Sequence, residues 1–323
     1  MTCITLSEPD STARSIVTKG ISISSTIAPI HFGRPGLEFR CILVPTDFSS
    51  GATRALQCAR SIAGKFQSKI FLLHIIPVDL FELDSPQTSL EALTLAREFA
   101  KQQLDRLASE GESTGIAHET IIVEGPAWTA ISEVIKANQI DLVAIGTQGK
   151  SNRKKLVLGS VVEKIYRMAD CPVLTVPPQL ETTSDHDLGF RHLLFATNFK
   201  PHNERAAVAA HLFDSRQNVR LTVLHVVEDS SESSSPSQKL VEEFMIKRMR
   251  KMLPEACQEQ CNPDFLVRFG KPAEEILAAA EQLKSNLILL GVRTAPRTAG
   301  HLPSPVAYSI VCQSTCPVLT LHQ

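Results

Sequence analysis

The chain carries almost no net charge. Thirty-three Lys and Arg against thirty-four Asp and Glu leave -1 at pH 7. No global field therefore draws it toward nucleic acid or an anionic bilayer, and any nucleotide preference has to come from a local site. Long apolar runs are missing too: none approaches the roughly 18 residues that span a bilayer, and the N-terminus has no compact charged-then-apolar leader. A cytoplasmic protein without nucleic-acid or membrane partners is the expectation. Cysteine is too scattered for a disulfide framework. Cys3, Cys41, Cys58, Cys171, Cys257, Cys261, Cys312 and Cys316 are spread along 323 residues, and reduced thiols are expected. The pairs Cys257/Cys261 and Cys312/Cys316 have a spacing that one helix would place on one face, but no flanking Cys/His pair completes a tetrahedral metal set. Tryptophan occurs once, as Trp128, expected to begin a helix after "GPA" and to pack locally.

What is present is a repeat. The length suggests two domains, and 43% hydrophobic residues suffice for ordinary packed cores. Residues 1–37 are rich in Ser and Thr without a sustained period and read as a disordered tail. Beyond them, "ILVPTDFSS" at Ile42 recurs as "LLFATNFKP" at Leu193, and "IFLLHII" at Ile70 as "LTVLHVV" at Leu221, both offset by 151 residues. "DLVAIG" at Asp141 recurs as "NLILLG" at Asn286, and "CPVLTV" at Cys171 as "CPVLTL" at Cys316, offset by 145 residues. The chain is a tandem duplication, with domains expected over 38–179 and 189–323 joined by a linker at 180–188.

Each copy alternates apolar strands with amphipathic helices. In the first, strands are expected at Arg40–Pro45, Lys69–Ile76, His118–Val123, Asp141–Ile145 and Pro172–Val176. Helices are expected at Ser50–Phe66, Ser89–Glu110, Ala127–Asn138 and Gly159–Ala169. That order predicts an α/β fold of two tandem open parallel five-stranded sheets with helices on both faces. The ligand crevice of such a sheet lies beyond the carboxyl ends of the strands, where the winding reverses, at the loops after the first and fourth strands. Those loops contain "PTDFS" and "GTQGKSNRKKLVLGS".

The second loop parses in two ways. From Ala144 it satisfies A-x-x-x-x-G-K-S, a loose phosphate loop. That parse fails on order, because only one strand remains for the rest of such a domain, and a helix begun at Lys150 would soon meet Gly159, at about 1 kcal/mol for an interior glycine. From Gly146 it reads G-2x-G-9x-G-S: Gly146 and Gly149 free the backbone to approach a ligand, and Gly159 and Ser160 open a helix. The amides and positive dipole end of that helix attract phosphate. Val161, Val162, Ile165, Tyr166 and Met168 would pack the helix on the sheet.

"PTDFS", "LLHI", G-2x-G-9x-G-S and the closing "CPVLTVP", in that order, resemble the universal stress protein (UspA) family in its tandem form, from about Phe39 to the C-terminus. The resemblance implies ATP binding, with or without magnesium, in a stress-related regulatory role. It assigns Pro45, Thr46 and Asp47 to adenine or its ribose, Ile75 to the base pocket, and Gly146, Gly149, Gly159, Ser160 and Val161 to ribose and phosphates. It also implies an intrachain pseudo-dimer, with Pro172–Val176 beside Pro317–Leu321, and further pairing of whole chains.

Asp47 has a second reading as a cap for the helix at Ser50, although Ser49 and Ser50 are also available for capping. The run Lys150, Arg153, Lys154 and Lys155 either holds phosphates or is simply solvated. His74 and His225, at equivalent positions, suggest a repeated packing and hydrogen-bonding role. With no positioned base, activated nucleophile or carboxylate pair, efficient ATP hydrolysis is not expected. In the second copy Asn198 stands opposite Asp47, Thr294 opposite Gly149, Ser304 opposite Gly159 and Pro305 opposite Ser160, leaving Gly291 alone of the cradle glycines. The second domain is expected to bind ATP poorly or not at all, and to serve structurally.

Overall fold

The computed structural model describes residues 37–77, 86–112, 115–148, 158–180, 190–214, 219–228, 236–255, 257, 262–293 and 304–322. The expected tail over 1–37 therefore lies almost wholly outside the described residues, as do Gly149, the basic run at 150–155, Cys3 and Cys261.

The first half runs β1 (Cys41–Pro45), α1 (Ser50–Phe66), β2 (Lys69–Ile76), α2 (Pro86–Glu112), β3 (His118–Glu124), α3 (Ala127–Ala137), β4 (Leu142–Gly146), α4 (Ser160–Met168) and β5 (Val173–Val176). The second half repeats it as β6 (His192–Thr197), a 3-10 turn (Pro201–Asn203) leading into α5 (Glu204–Asp214), β7 (Arg220–Val227), α6 (Pro236–Met252), β8 (Asp264–Phe269), α7 (Pro272–Gln282), β9 (Leu287–Val292), α8 (Pro305–Gln313) and β10 (Val318–His322). Helix α2 extends beyond both of its expected ends, while α4 spans less than its expected range. Trp128 lies in α3, partly buried against the core. The helix carrying Cys312 stops at Gln313, so Cys316 is not on its face, contrary to the helical reading of that spacing. The six described cysteines are free thiols.

The strands form one ten-stranded sheet in the order β3-β2-β1-β4-β5-β10-β9-β6-β7-β8. Two five-stranded halves were expected, and they are fused edge to edge. Every pairing is parallel except β5 with β10, where Val173, Leu174 and Thr175 run antiparallel to Thr320, Leu319 and Val318. The Thr175 hydroxyl donates to the Val318 carbonyl and the Thr320 hydroxyl to that of Val173, both at 3.2 Å, which satisfies two fully buried hydroxyls across the seam. Phe213 from the second half packs on Phe39 and Phe66 from the first and on Phe190 from its own, with centroids 5.2 to 5.9 Å apart. Such ring pairs contribute about 0.5–1.5 kcal/mol each beyond their buried area. The pairing covers two strand edges that would otherwise template aggregation.

Alternation along the strands feeds a core on each face. Ile42 and Val44 join the layer under α1, α2, α5 and α6, whereas Leu43 joins the layer under α3, α4, α7 and α8. In α1 the stripe Ala55, Ala59, Ile62 and Ala63 is fully buried, and its small side chains bring the helix close to β4. In α4, Val162, Ile165 and Tyr166 are buried as expected, but Met168 at the last turn is 36% exposed.

Candidate functional site

In each half the winding reverses between neighbouring strands, β1 and β4 in the first and β6 and β9 in the second. The residues singled out in the first half, apart from Gly149, which lies outside the described residues, converge on the carboxyl edge there. Pro45 ends β1, and the Thr46 amide extends the ladder by donating to the Leu73 carbonyl at 2.8 Å. The Phe48 amide donates to the Thr46 hydroxyl and the Ser49 amide to Asp47 Oδ1, both at 3.0 Å. Ser49 is the N-cap of α1, its Oγ accepting from the Ala52 amide at 3.2 Å. Ser49 therefore does the capping left open between it and Asp47. The Asp47 carboxylate fixes the turn and is half-buried at the crevice. Ile75, also half-buried, lies on the adjoining strand, two residues beyond the partner of Pro45.

Phe48 holds this turn at φ 61°, in the left-handed region that non-glycine residues seldom occupy. Its ring stacks on His74 with centroids 4.4 Å apart. His74 Nδ1 lies 2.8 Å from the Thr46 carbonyl, and a carbonyl only accepts, so the proton is on Nδ1. The second half repeats the device: Phe199 has φ 60°, packs on His225 at 4.4 Å, and His225 Nδ1 donates to the Thr197 carbonyl at 2.8 Å. The repeated role expected of the two histidines is thus a brace under a strained turn. Burial holds the His225 pKa below its ordinary value, the Thr197 bond opposing and Arg248 reinforcing the shift. The strained phenylalanines were not anticipated; their one trace in the sequence is that both copies keep Phe immediately after the Asp or Asn of this loop.

Gly146 is buried at the end of β4. A Cβ there would sit 2.7 Å from the carbonyl atoms of Gly51 on α1, and a Cβ on Gly51 would sit 2.2 Å from the Gln148 carbonyl oxygen. Close packing of helix on strand therefore requires glycine at 146, whatever occupies the crevice. Gly51 is the residue that motif reasoning missed. Gly291 repeats the approach against the His202 carbonyl, at 2.4 Å.

Gly159 is different. Its φ is -59° and a Cβ would meet nothing closer than a Val162 methyl at 3.8 Å, so neither backbone strain nor crowding asks for glycine. It is the N-cap of α4 with no side-chain capping bond, and its amide reaches back to the Thr147 carbonyl at 3.4 Å. The Glu163 amide is the first satisfied within the helix, by the Gly159 carbonyl. Among the described residues the amides of Ser160, Val161 and Val162 have no acceptor, and Ser160 is exposed. At α8, Pro305 has no amide and the Ser304 hydroxyl takes the Ala307 amide at 3.3 Å. One helix presents open donors, and its counterpart is capped.

Residues 38–177 and 189–322 both match the family model described as the universal stress protein family. Universal stress protein MJ0531 of Methanocaldococcus jannaschii is 30% identical over 139 residues, which are 43% of this chain and 82% of that protein. Universal stress protein MJ0577 of the same organism is 29% identical over 153 residues, 43% of this chain and 94% of the relative. The crystal structure of a universal stress protein from Archaeoglobus fulgidus aligns over 87% of this chain and 98% of its own, with a TM-score of 0.64 at 24% identity, a likeness of fold. With both halves matched, and with the loops, brace and glycine contact built twice on one sheet, the chain belongs to the universal stress protein family in its tandem form.

Proposed function

We propose that the crevice of the first half binds an adenine nucleotide, ATP with or without magnesium, and that the protein serves a regulatory, stress-related role in the cytoplasm. The observation that supports this most is the uncapped start of α4. Its three open amides and positive dipole end favour phosphate oxygens. Asp47, with an oxygen at the crevice, suits ribose hydroxyls or the adenine amine, and Ile75 offers an apolar surface to the base. Gly159 gives phosphates room to reach the amides. The same reading makes the protein a binder rather than an enzyme, with slow turnover at most. His74 has its Nδ1 proton committed to Thr46, and among the described residues no base hydrogen-bonds the Ser160 hydroxyl. Pairing of whole chains belongs to this reading too, through surfaces other than the seam strands, which are already used within the chain.

The test is nucleotide analysis of the purified protein together with melting curves with and without ATP and magnesium. ATP at 100 times its dissociation constant should stabilise the fold by about 2.7 kcal/mol. A protein that carries no nucleotide and melts at one temperature under all conditions would be a scaffold instead.

A further inference from the structure

The second half was expected to bind ATP poorly or not at all and to serve structurally; its described residues also line a cavity. A cavity of about 940 Å³ occupies the carboxyl edge at β6, β7 and β9 and the start of α8, within the size range of small-molecule sites. Leu224, Val226, Ile276 and Ile310 give it an apolar wall. Its polar side differs from the corresponding turn of the first half. Asn198 stands where Asp47 does, Lys200 where Ser49 does, His202 where Gly51 does, and Arg293 where Gln148 does. At these four positions one carboxylate is lost and three basic side chains are gained, while Glu228, where the first half has Pro77, brings a carboxylate to the described lining.

Asn198, Lys200 and His202 share one hydrogen-bonded turn, and Arg293 follows β9. Asn203 Nδ2 donates to Asn198 Oδ1 at 2.7 Å and to the Lys200 carbonyl at 3.0 Å, and the His202 carbonyl abuts Gly291. His202 is 9% exposed, lines the cavity, and has no hydrogen-bond partner among the described residues. Burial lowers its pKa, with Lys200 and Arg293, which line the same cavity, lowering it further. No described carboxylate makes an ion pair with either cation. The imidazole edge and the two exposed cations therefore offer hydrogen-bond donors and positive charge to an anion entering the cavity.

We propose that this second cavity is a separate ligand site for a small amphiphilic anion: a carboxylate or phosphate-monoester head seated among Lys200, His202 and Arg293, with an apolar body against Leu224, Val226, Ile276 and Ile310. A nucleoside triphosphate does not fit this chemistry, because α8 is capped by Ser304 and begins at Pro305. The site stands independently of nucleotide binding in the first half.

Calorimetric titration of the full chain with octanoate and with octyl phosphate, using 1-octanol as the neutral control, tests it. Both anions should bind one per chain, and octanol at least about tenfold more weakly. The two anions separate a carboxylate preference from a phosphate preference, and either supports the site. Lys200→Ser combined with Arg293→Gln installs the first half's residues at two exposed positions. It should weaken anion binding about tenfold or more while leaving the melting temperature and ATP binding unchanged. The proposal is overturned by no anion binding, by equal binding of octanol, or by binding indifferent to the double substitution. Competition by ATP would also overturn it, since the cavity would then be a nucleotide site.

Discussion

The two carboxyl edges share a scaffold and differ in what they offer a ligand. Thr46 and Thr197 hold the same turn, Phe48 and Phe199 sit at φ 61° and 60°, and His74 and His225 make the same 2.8 Å bond. Gly146 and Gly291 let a helical segment press on the strand in each half. Against that constancy, α4 begins with open amides and α8 is capped, and a carboxylate turn faces a basic one. The brace and the glycine contact therefore belong to the fold, and specificity lies in the few residues that differ. A motif glycine is ambiguous for this reason, because scaffold and ligand both ask for a missing Cβ.

The largest expected effect separates those demands. Gly146→Ala and Gly291→Ala each force a Cβ into backbone, and each should destabilise the protein by about 2–3 kcal/mol or more, read by urea denaturation, with or without nucleotide. Gly159→Ala should change stability by less than about 1 kcal/mol and yet lower ATP affinity by crowding the amides. If Gly146→Ala folded normally and lost only ATP binding, the assignment of that glycine to the scaffold would be wrong.

A smaller effect transplants one half's chemistry into the other. Ser160→Pro gives α4 the first residue of α8. Proline is well tolerated at that helical position, so the fold should persist. One amide donor and one hydroxyl are lost, and charge-assisted bonds of about 1.5–3 kcal/mol each imply a drop in ATP affinity of ten- to a hundredfold or more. Unchanged affinity in a titration would show that the nucleotide does not use the start of α4.

Much of this was legible in the sequence because it depends on local periodicity and on the repeat. Strand β2 and helix α1 match their expected bounds, and the seam of β5 on β10 was anticipated from the family resemblance. What escaped was set by three-dimensional contact. Gly51 is an ordinary helix residue until β4 lies on it, and Phe48 has no propensity for the backbone it adopts. Phe39, Phe66, Phe190 and Phe213 are far apart in the chain, and only the fused sheet makes them one cluster. The cavity of the second half was not legible in the sequence either, because its described wall is assembled from β6, β7, α7, β9 and α8.

The smallest effect lies at the opposite edge of the sheet, where the halves differ by one atom type. Asp141 accepts the Arg40 amide at 2.7 Å and the Cys41 amide at 3.0 Å, and Asn286 accepts those of Arg191 and His192 at 3.0 and 2.8 Å through one oxygen. Burial raises the Asp141 pKa from 3.8 to about 6, against the lowering by its amide bonds. A pKa raised by folding contributes stability that is complete below the unfolded value, near pH 4, and is lost as pH rises through 6. At neutral pH the buried charge is a cost, so Asp141→Asn should stabilise the protein at pH 7. After discounting for solvent screening the gain is about 1 kcal/mol, shrinking toward zero near pH 4. Denaturation midpoints at pH 4.5, 6 and 7.5 test this. A difference between variant and parent that stayed constant across that range would mean that Asp141 does not titrate as its surroundings imply. Asn286→Asp should create the same dependence in the second half.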